Sequence, residues 1–485
     1  MFGRRRLFLL GAGLFAAFSV LGGAAQDAGW LIAARALMGI GAALMWPATL
    51  GMTFAALPAR RAGLAGGLIL GVAGIGNALG PLIGGALTDG ASWRWVLFLN
   101  LPVAVIAGTV TWAKVHQPHD PDLRGRIDYG GIVTLCAGSF ALLVALDEAS
   151  NLGFGDSRVI LLMIVFVVLI GSFPFIERRM RGHALIPPDV ARNPEFAAAC
   201  AAIALLATGF FASLLYLPQF MQKLLGYSPL GAGVGLLPMM LVYGAVSFLA
   251  GTLYRRLGAK LITSAGAGGM AIGLFLLSLV TSSSGYGAII AGMAVFGAGL
   301  GLFISSATTA GIIAVDPSRT SLAGGTLHML QLMGGSIGLG LTTAIFTSAF
   351  KSTVHSAHVA DALSTAQEHA VNGILAGTAS TPDLGQRFPH AAAALDGLSR
   401  EAFASGMHSS FRVAAALAAA GFLVAVGFIG GRVRLAPFSM VAVGTPVARR
   451  PPRRSQRARL THWAPALGGG GESLLGPWMH DAGLR

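Results

Sequence analysis

Arg35 stands inside an apolar stretch, five residues after Trp30, and is followed by Gly39, Gly41, Ala42 and Pro47. A guanidinium at the centre of a hydrocarbon-facing helix costs about 2.5 to 3.5 kcal/mol, so such a group generally faces a cavity or a partner. The other reading is that Arg35 lies near a boundary and snorkels to water along its own stem. His328 and Gln331 form a second polar pair within a later apolar stretch. Histidine changes charge in the range from about pH 5 to pH 8 and can carry a proton. A lone buried histidine can equally stay neutral and bond to a neighbouring helix. The third group is Gly67, Gly76, Gly80, Pro81, Gly84 and Gly85. Glycines this dense let two helix backbones come close, while the proline removes an amide donor and bends its helix. That spacing predicts a face on which a neighbouring helix approaches and pivots; plain small-residue packing explains any two of these glycines but not the whole pattern.

Other chemistries find no residues to carry them. None of the 19 acidic residues lies in the middle of an apolar stretch; Asp128, Asp147, Glu148 and Glu177 come nearest and sit at the ends. No nucleophile, base and orienting group gather near one helix end, so an enzyme is not indicated. Cys136 and Cys200 lie inside apolar runs, which leaves no disulfide framework and no metal-ligand spacing. Gly297, Gly299 and Gly301 superficially suggest a dinucleotide loop, but no strand precedes them.

The elements that must position these groups follow from composition. The 485 residues are 54% hydrophobic and only 11% charged, against roughly a quarter charged in soluble chains. A large soluble domain is excluded. A membrane-spanning helix needs about 20 mainly apolar residues, and twelve stretches qualify. They run from Leu7 to Ala25, Trp30 to Phe54, Leu64 to Leu87, Trp95 to Val115, Tyr129 to Leu146 and Val159 to Phe175. The remainder run from Phe196 to Phe220, Leu230 to Leu253, Leu261 to Val280, Gly285 to Val315, Leu322 to Phe350 and Phe411 to Val433. The 69 glycines suit closely packed helices, and the absence of short apolar and polar alternation excludes a barrel. The expected fold is an all-α polytopic membrane protein.

Cations orient it. One side collects Arg4, Arg5, Arg6, Arg60, Arg61, Lys114, Arg124, Arg126, Arg178, Arg179, Arg181, Arg192, Arg255, Arg256, Lys260, Arg319, Arg432 and Arg434. The other receives only Arg94, Arg158, Lys223, Lys351, Arg387, Arg400 and Arg412. Because basic residues accumulate in cytoplasmic loops, both termini are expected in the cytoplasm. Much of the formal charge of +14 is therefore topology and not nucleic-acid affinity. Arg4 to Arg6, the apolar run and Gly22 to Ala25 also imitate a secretory signal peptide; a retained first span is the preferred reading. The long external segment 351–410 is rich in Ala, Ser, Thr and His, and is expected to carry at most a surface helix without a core of its own. Residues 434–485, with Arg449, Arg450, Arg453, Arg454, Arg457 and Arg459, read as a disordered basic tail. Such a tail is either a solvated, orientation-fixing segment or a contact for anionic lipid, at about 1 kcal/mol per cation near the surface.

With these motifs in place the chain resembles the major facilitator superfamily, and more narrowly its fourteen-span drug and proton antiporter branch, over roughly residues 1 to 433. Gly67 to Gly85 resemble the antiporter signature. Arg35, Gly39, Gly41 and Pro47 resemble the family's fourth-helix motif, whose arginine is implicated in proton transfer. Trp93, Arg94 and Trp95 before Asn100 and Pro102 are similar to the approach to its sixth helix, and Pro218, Gln219, Gln222, Gly226 and Pro238 to its ninth-to-tenth helix junction. Gly3, Arg4, Arg5 and Arg6 resemble the last residues of the family's cytoplasmic loop between helices two and three. The resemblance thus implies family helices 3 to 14, without the first helix and the acidic residue it carries.

Its further implications are an export cavity near the midplane, a proton gradient as the energy source without a cofactor, and a small amphipathic substrate. Arg35 and His328 are the proton-coupling candidates, and Asn100, Gln219 and Gln331 are the cavity candidates. Domains are expected at 1–115, an incomplete four-helix bundle, 116–195, an inserted helix pair with its linkers, 196–433, a six-helix bundle, and the tail. The alternatives are a non-transporting fragment of such an exporter and an uptake facilitator.

Overall fold

The computed structural model describes residues 3–56, 62–115, 128–179, 186–316, 319–359, 364–376 and 387–430. The basic tail and Arg60, Arg61, Arg124, Arg126, Arg181, Arg432 and Arg434 lie outside the described residues. Helices α1 (Arg4–Gly23), α2 (Ala28–Ala56), α3 (Ala62–Gly90), α4 (Arg94–Phe98) and α5 (Asn100–Lys114) form the N-terminal region. An intervening pair follows, α6 (Tyr129–Leu152) and α7 (Ser157–Arg179). After the short α8 (Pro188–Ala191) come α9 (Pro194–Lys223), α10 (Pro229–Gly235), α11 (Leu237–Leu257), α12 (Ala259–Ser278) and α13 (Tyr286–Ile313). The described chain ends with α14 (Thr320–Val359), α15 (Thr365–Ala376) and α16 (Ala392–Phe428). Among the described residues, eleven helical segments are long and apolar enough to cross a membrane. The stretch expected from Leu64 to Leu87 falls within α3, which is also helical throughout.

Local chemistry sets many boundaries. Asn193 caps α9 by accepting from the amides of Glu195 and Phe196 at 3.0 and 3.1 Å, with Pro194 in the first turn where its missing donor costs nothing. Asp128 caps α6 through the Gly131 amide, and Ser228 caps α10 through that of Gly231. Gly258, at φ 90°, joins α11 to α12 as a single residue in a conformation that side chains resist. Two of the expected spans carry a local irregularity, at Leu99 and at Leu236, where the backbone stays right-handed helical, and each continues as one crossing-length segment, Arg94–Lys114 and Pro229–Leu257. In each case a proline three or two residues on, Pro102 or Pro238, cannot donate to the carbonyl four residues before it.

The main core lies in the C-terminal helices. One cluster of buried apolar side chains extends from Val190 to Ile429 and includes Phe196, Phe220, Phe296, Phe303, Phe350 and Phe411. Here glycines bring backbones together. A side chain at Gly266 or Gly273 of α12 would collide with the backbone of Phe303 or Phe296 of α13. Gly297 and Gly301 press against the carbonyls of Met239 and Tyr243 on α11, while Gly299 faces α12 at Met270. The alternating glycines are thus a two-sided packing device.

Segment 351–410 differs from its expected form. α14 and α16 extend into it, α15 lies between them, and Val354, Val371, Leu395, Phe403 and Met407 are buried in the C-terminal core. Leu395, Ser399, Ala402, Phe403, Gly406, Met407 and Ser410 continue at helical spacing the buried stripe of the α16 span. Low mean apolarity concealed a well-placed stripe.

Candidate functional site

Two bridges join the N-terminal helices to the C-terminal ones. The first is the antiporter-like motif. A side chain at Gly85 of α3 would meet the carbonyl oxygen of Pro229 and the Cα of Leu230, and one at Gly233 of α10 would meet the carbonyl oxygen of Pro81. The two backbones therefore touch, which no larger residue at either position permits. Gly76, Gly80 and Gly84 behave otherwise, with nothing among the described residues within 4 Å of where a side chain would stand. Gly67 lies on the same helix, but its surroundings fall outside the described residues. The motif thus has a contacting face, Pro81 and Gly85, and an open one, Gly76, Gly80 and Gly84.

The second bridge is aromatic. The Trp46 ring of α2 stacks on the His328 ring of α14, with centroids 4.1 Å apart and planes 18° from parallel. Gln331, one turn on, shares a hydrogen bond with His328. Both His328 and Gln331 are half-buried. Sequence reasoning missed Trp46. Its only signal was its place directly before Pro47, where the helix loses the amide that would bond the carbonyl of Ala43.

Arg35 shares this face. At about 100° per residue, positions 35, 39 and 46 fall within roughly 40° of one another around α2. The packing stripe against α1, made by Ala34, Met38, Gly41 and Ala48, lies to one side. Gly41 belongs wholly to that stripe, since its Cα sits against the Gly11 carbonyl and the Phe15 backbone. Gly39 has open space in front of it, and Arg35 is exposed with no hydrogen bond or ion pair among the described residues. The face that brings Trp46 to α14 therefore also presents a guanidinium about 16 Å along the helix axis.

The remaining candidates are placed as follows. Asn100 donates its amide to Ser19 Oγ at 3.0 Å, and the buried Ser19 donates to the Leu97 carbonyl at 2.7 Å. This chain ties α1 to the α4–α5 junction. Gln219 is half-buried on α9, one turn beyond Tyr216, whose hydroxyl lies 3.3 Å from that of Thr343. Gly3 adopts φ 74° as it opens α1. Arg4 donates to the Gly51 carbonyl of α2 at 2.8 Å, Arg5 lies over the Trp112 ring at 5.9 Å, and Arg6 is exposed. Arg94 donates to the Ala25 carbonyl just beyond α1 and covers the Trp93 ring, a favourable place for a cation near a helix C-terminus.

A polytopic bundle whose halves meet through a glycine-proline seam and a polar, aromatic contact is a transport architecture. The sequence profile of the Major Facilitator Superfamily matches residues 1–339, and the chain belongs to that superfamily. It is 33% identical over 355 residues to the puromycin resistance protein of Streptomyces alboniger, covering 72% of this chain and 70% of that one. It is 32% identical over 355 residues to the cephamycin export protein of Amycolatopsis lactamdurans, covering 71% of each. A multidrug resistance protein of Mycobacterium tuberculosis strain CDC 1551 / Oshkosh is 28% identical, with 73% of this chain and 66% of that protein covered. Among solved structures, a bacterial homologue of the human lysosomal transporter Spinster superposes with a TM-score of 0.59 at 15% identity, over 88% of this chain and 84% of its own. The fold is a multi-pass membrane transporter fold.

Proposed function

We propose that the chain exports small amphipathic compounds, including antibiotics, across the cell membrane in exchange for protons. The observation that carries this reading is the contact of α2 with α14, where Trp46 stacks on His328 and Gln331 bonds it, with Arg35 further along the same face of α2. The names of the relatives support the class of cargo.

In this reading the substrate cavity lies between the two halves, near the midplane. His328 takes up and releases the proton, since no acidic residue lies mid-span. Protonation puts a charge against the Trp46 ring, and Arg35 on the same face opposes that charge, so loading and release of the proton change how firmly α2 and α14 hold together. The Pro81–Gly85 seam is the pivot for alternating access. Each charge moving down 100 mV supplies about 2.3 kcal/mol. Both termini lie in the cytoplasm, the proton gradient takes the place of a cofactor, and the partners are the bilayer and the substrate, without nucleic acid.

The test is transport in everted vesicles containing the full chain, read with an acid-quenched dye. Adding a cationic amphipathic drug should release protons from the energised lumen, and His328→Ala should abolish the response. A second reading, a chain that inserts but moves no protons by itself, is favoured by the open glycines of α3. Unresponsive wild-type vesicles with correctly inserted protein establish that reading and end the first.

A further inference from the structure

A groove of about 520 Å³ runs between α12 and the span of α16. Ala271, Ile272 and Phe275 line one side, and Arg412, Ala416 and Ala419 the other. Ile272 and Phe275 are more than half exposed, as are Leu423 and Phe428 nearby on α16, so this is an apolar surface of the kind that meets lipid. The alanines keep the α16 wall low. At the far end the Phe422 ring lies 3.5 Å from where a side chain would stand at Gly268, and closes the groove.

Arg412 is the one charged group in that lining, and among the described residues no carboxylate is bonded to it. Between Lys260 and Asp316, which covers the rest of α12 and all of α13, there is no charged residue. On α16 the last carboxylate before Arg412 is Glu401, about 16 Å back along the helix axis. Asp396 is already bonded to Arg400 at 2.9 Å. His408, one turn away, lies against the Ser278 carbonyl and can only add positive charge. Of the other helices packed on α16, α9 brings Glu195, which accepts from the Gly430 amide at the opposite end, and Lys223, which covers the Phe403 ring. α14 brings Lys351 and His355, and α15 brings His369 and Glu368, the latter paired with His355 at 3.5 Å.

We propose that this groove binds an anionic glycerophospholipid, with its phosphate on Arg412 and the upper part of one acyl chain between α12 and α16. From Arg412 to Ala419 the groove spans about 10 Å, a third of a hydrocarbon core of about 30 Å. The planar guanidinium offers paired donors to phosphate oxygens at headgroup depth. A zwitterionic lipid brings its own cation beside Arg412 and gains less, and a cationic substrate is repelled.

The test uses the full chain, purified in neutral detergent and stripped of lipid, with bound lipid counted by native mass spectrometry during titration with dioleoyl phosphatidylglycerol or dioleoyl phosphatidylcholine. The wild type should bind one phosphatidylglycerol in clear preference. R412Q should weaken that binding roughly tenfold, the value of one charge-assisted contact, with R412K intermediate. A416L keeps the charge but fills the groove, and should lose the lipid at unchanged helix content. The proposal fails if R412Q or A416L holds phosphatidylglycerol as the wild type does, or if phosphatidylcholine binds equally well. It also fails if chain-free glycerophosphate raises the Tm as much as phosphatidylglycerol, since the groove would then contribute nothing.

Discussion

The α3 motif and the α11–α12–α13 contact use the same small residue for different ends. Along the α11–α12–α13 contact, glycines such as Gly266, Gly273, Gly297 and Gly299 are covered by neighbouring backbones, although Gly244, Gly251 and Gly287 are open, and between those contacts sit large buried side chains such as Phe296 and Phe303. Among the described residues of α1 to α5 and the turn after α1, the buried apolar ones are Ala12, Ala16, Ala25, Ala34, Met38, Ala48 and Leu97, nearly all small. Gly39, Gly76, Gly80 and Gly84 there face open space among the described residues. A glycine pressed by a partner backbone fixes a helix pair, whereas one with nothing before it leaves a helix free to change partners. The lesson is that glycine content alone does not tell a fixed contact from an open face.

Paired substitutions test that contrast most severely. Gly299→Val in α13 drives a branched side chain into the α12 backbone and should cost about 3 kcal/mol or more, seen as loss of monodisperse protein on heating. Gly80→Val in α3 meets open space and should change stability by less than about 1 kcal/mol, while slowing export in the vesicle assay. Equal destabilisation by the two would erase the distinction. Next in size is the bridge between the halves. Trp46→Ala removes the stack on His328 and should cost about 0.5 to 1.5 kcal/mol, with a larger proportional loss in proton-linked export than in thermal stability; a loss confined to stability would make the contact mere packing. Smallest is the Arg319–Asp189 pair, 2.7 Å apart but with side chains 39% and 62% exposed. Asp189→Asn should shift stability by no more than about 0.5 kcal/mol, and less at high salt.

Much of this was legible in the chain itself, for reasons that differ by residue. Span positions were readable because hydrocarbon thickness imposes a length and because arginines such as Arg178 and Arg255 mark the ends. The irregularities at Leu99 and Leu236 were implicit in Pro102 and Pro238, yet an apolar count passes over them. The helices in 351–410 were hidden because mean apolarity discards the period that carries Leu395, Phe403 and Met407 inward. His328 stood out as a lone titratable group, but its ring partner could not, since a tryptophan within an apolar stretch reads the same whether it meets lipid or another helix. Asn100 shows the same limit. A polar amide in a span signals some partner, and only the tertiary arrangement says that the partner is Ser19.

The lengths of α14 and α16 carry a consequence for handling the protein. At 40 and 37 residues these antiparallel helices measure about 60 and 55 Å, twice the thickness of the oily layer they cross. They are clasped toward one end of the span by Phe346 on Phe403 and by the bond from Ser410 to Thr342, with α15 leaning on both further out. The result is a stiff turret beside the mouth between the halves, a grip by which an antibody fragment could hold and image a molecule otherwise sunk in detergent.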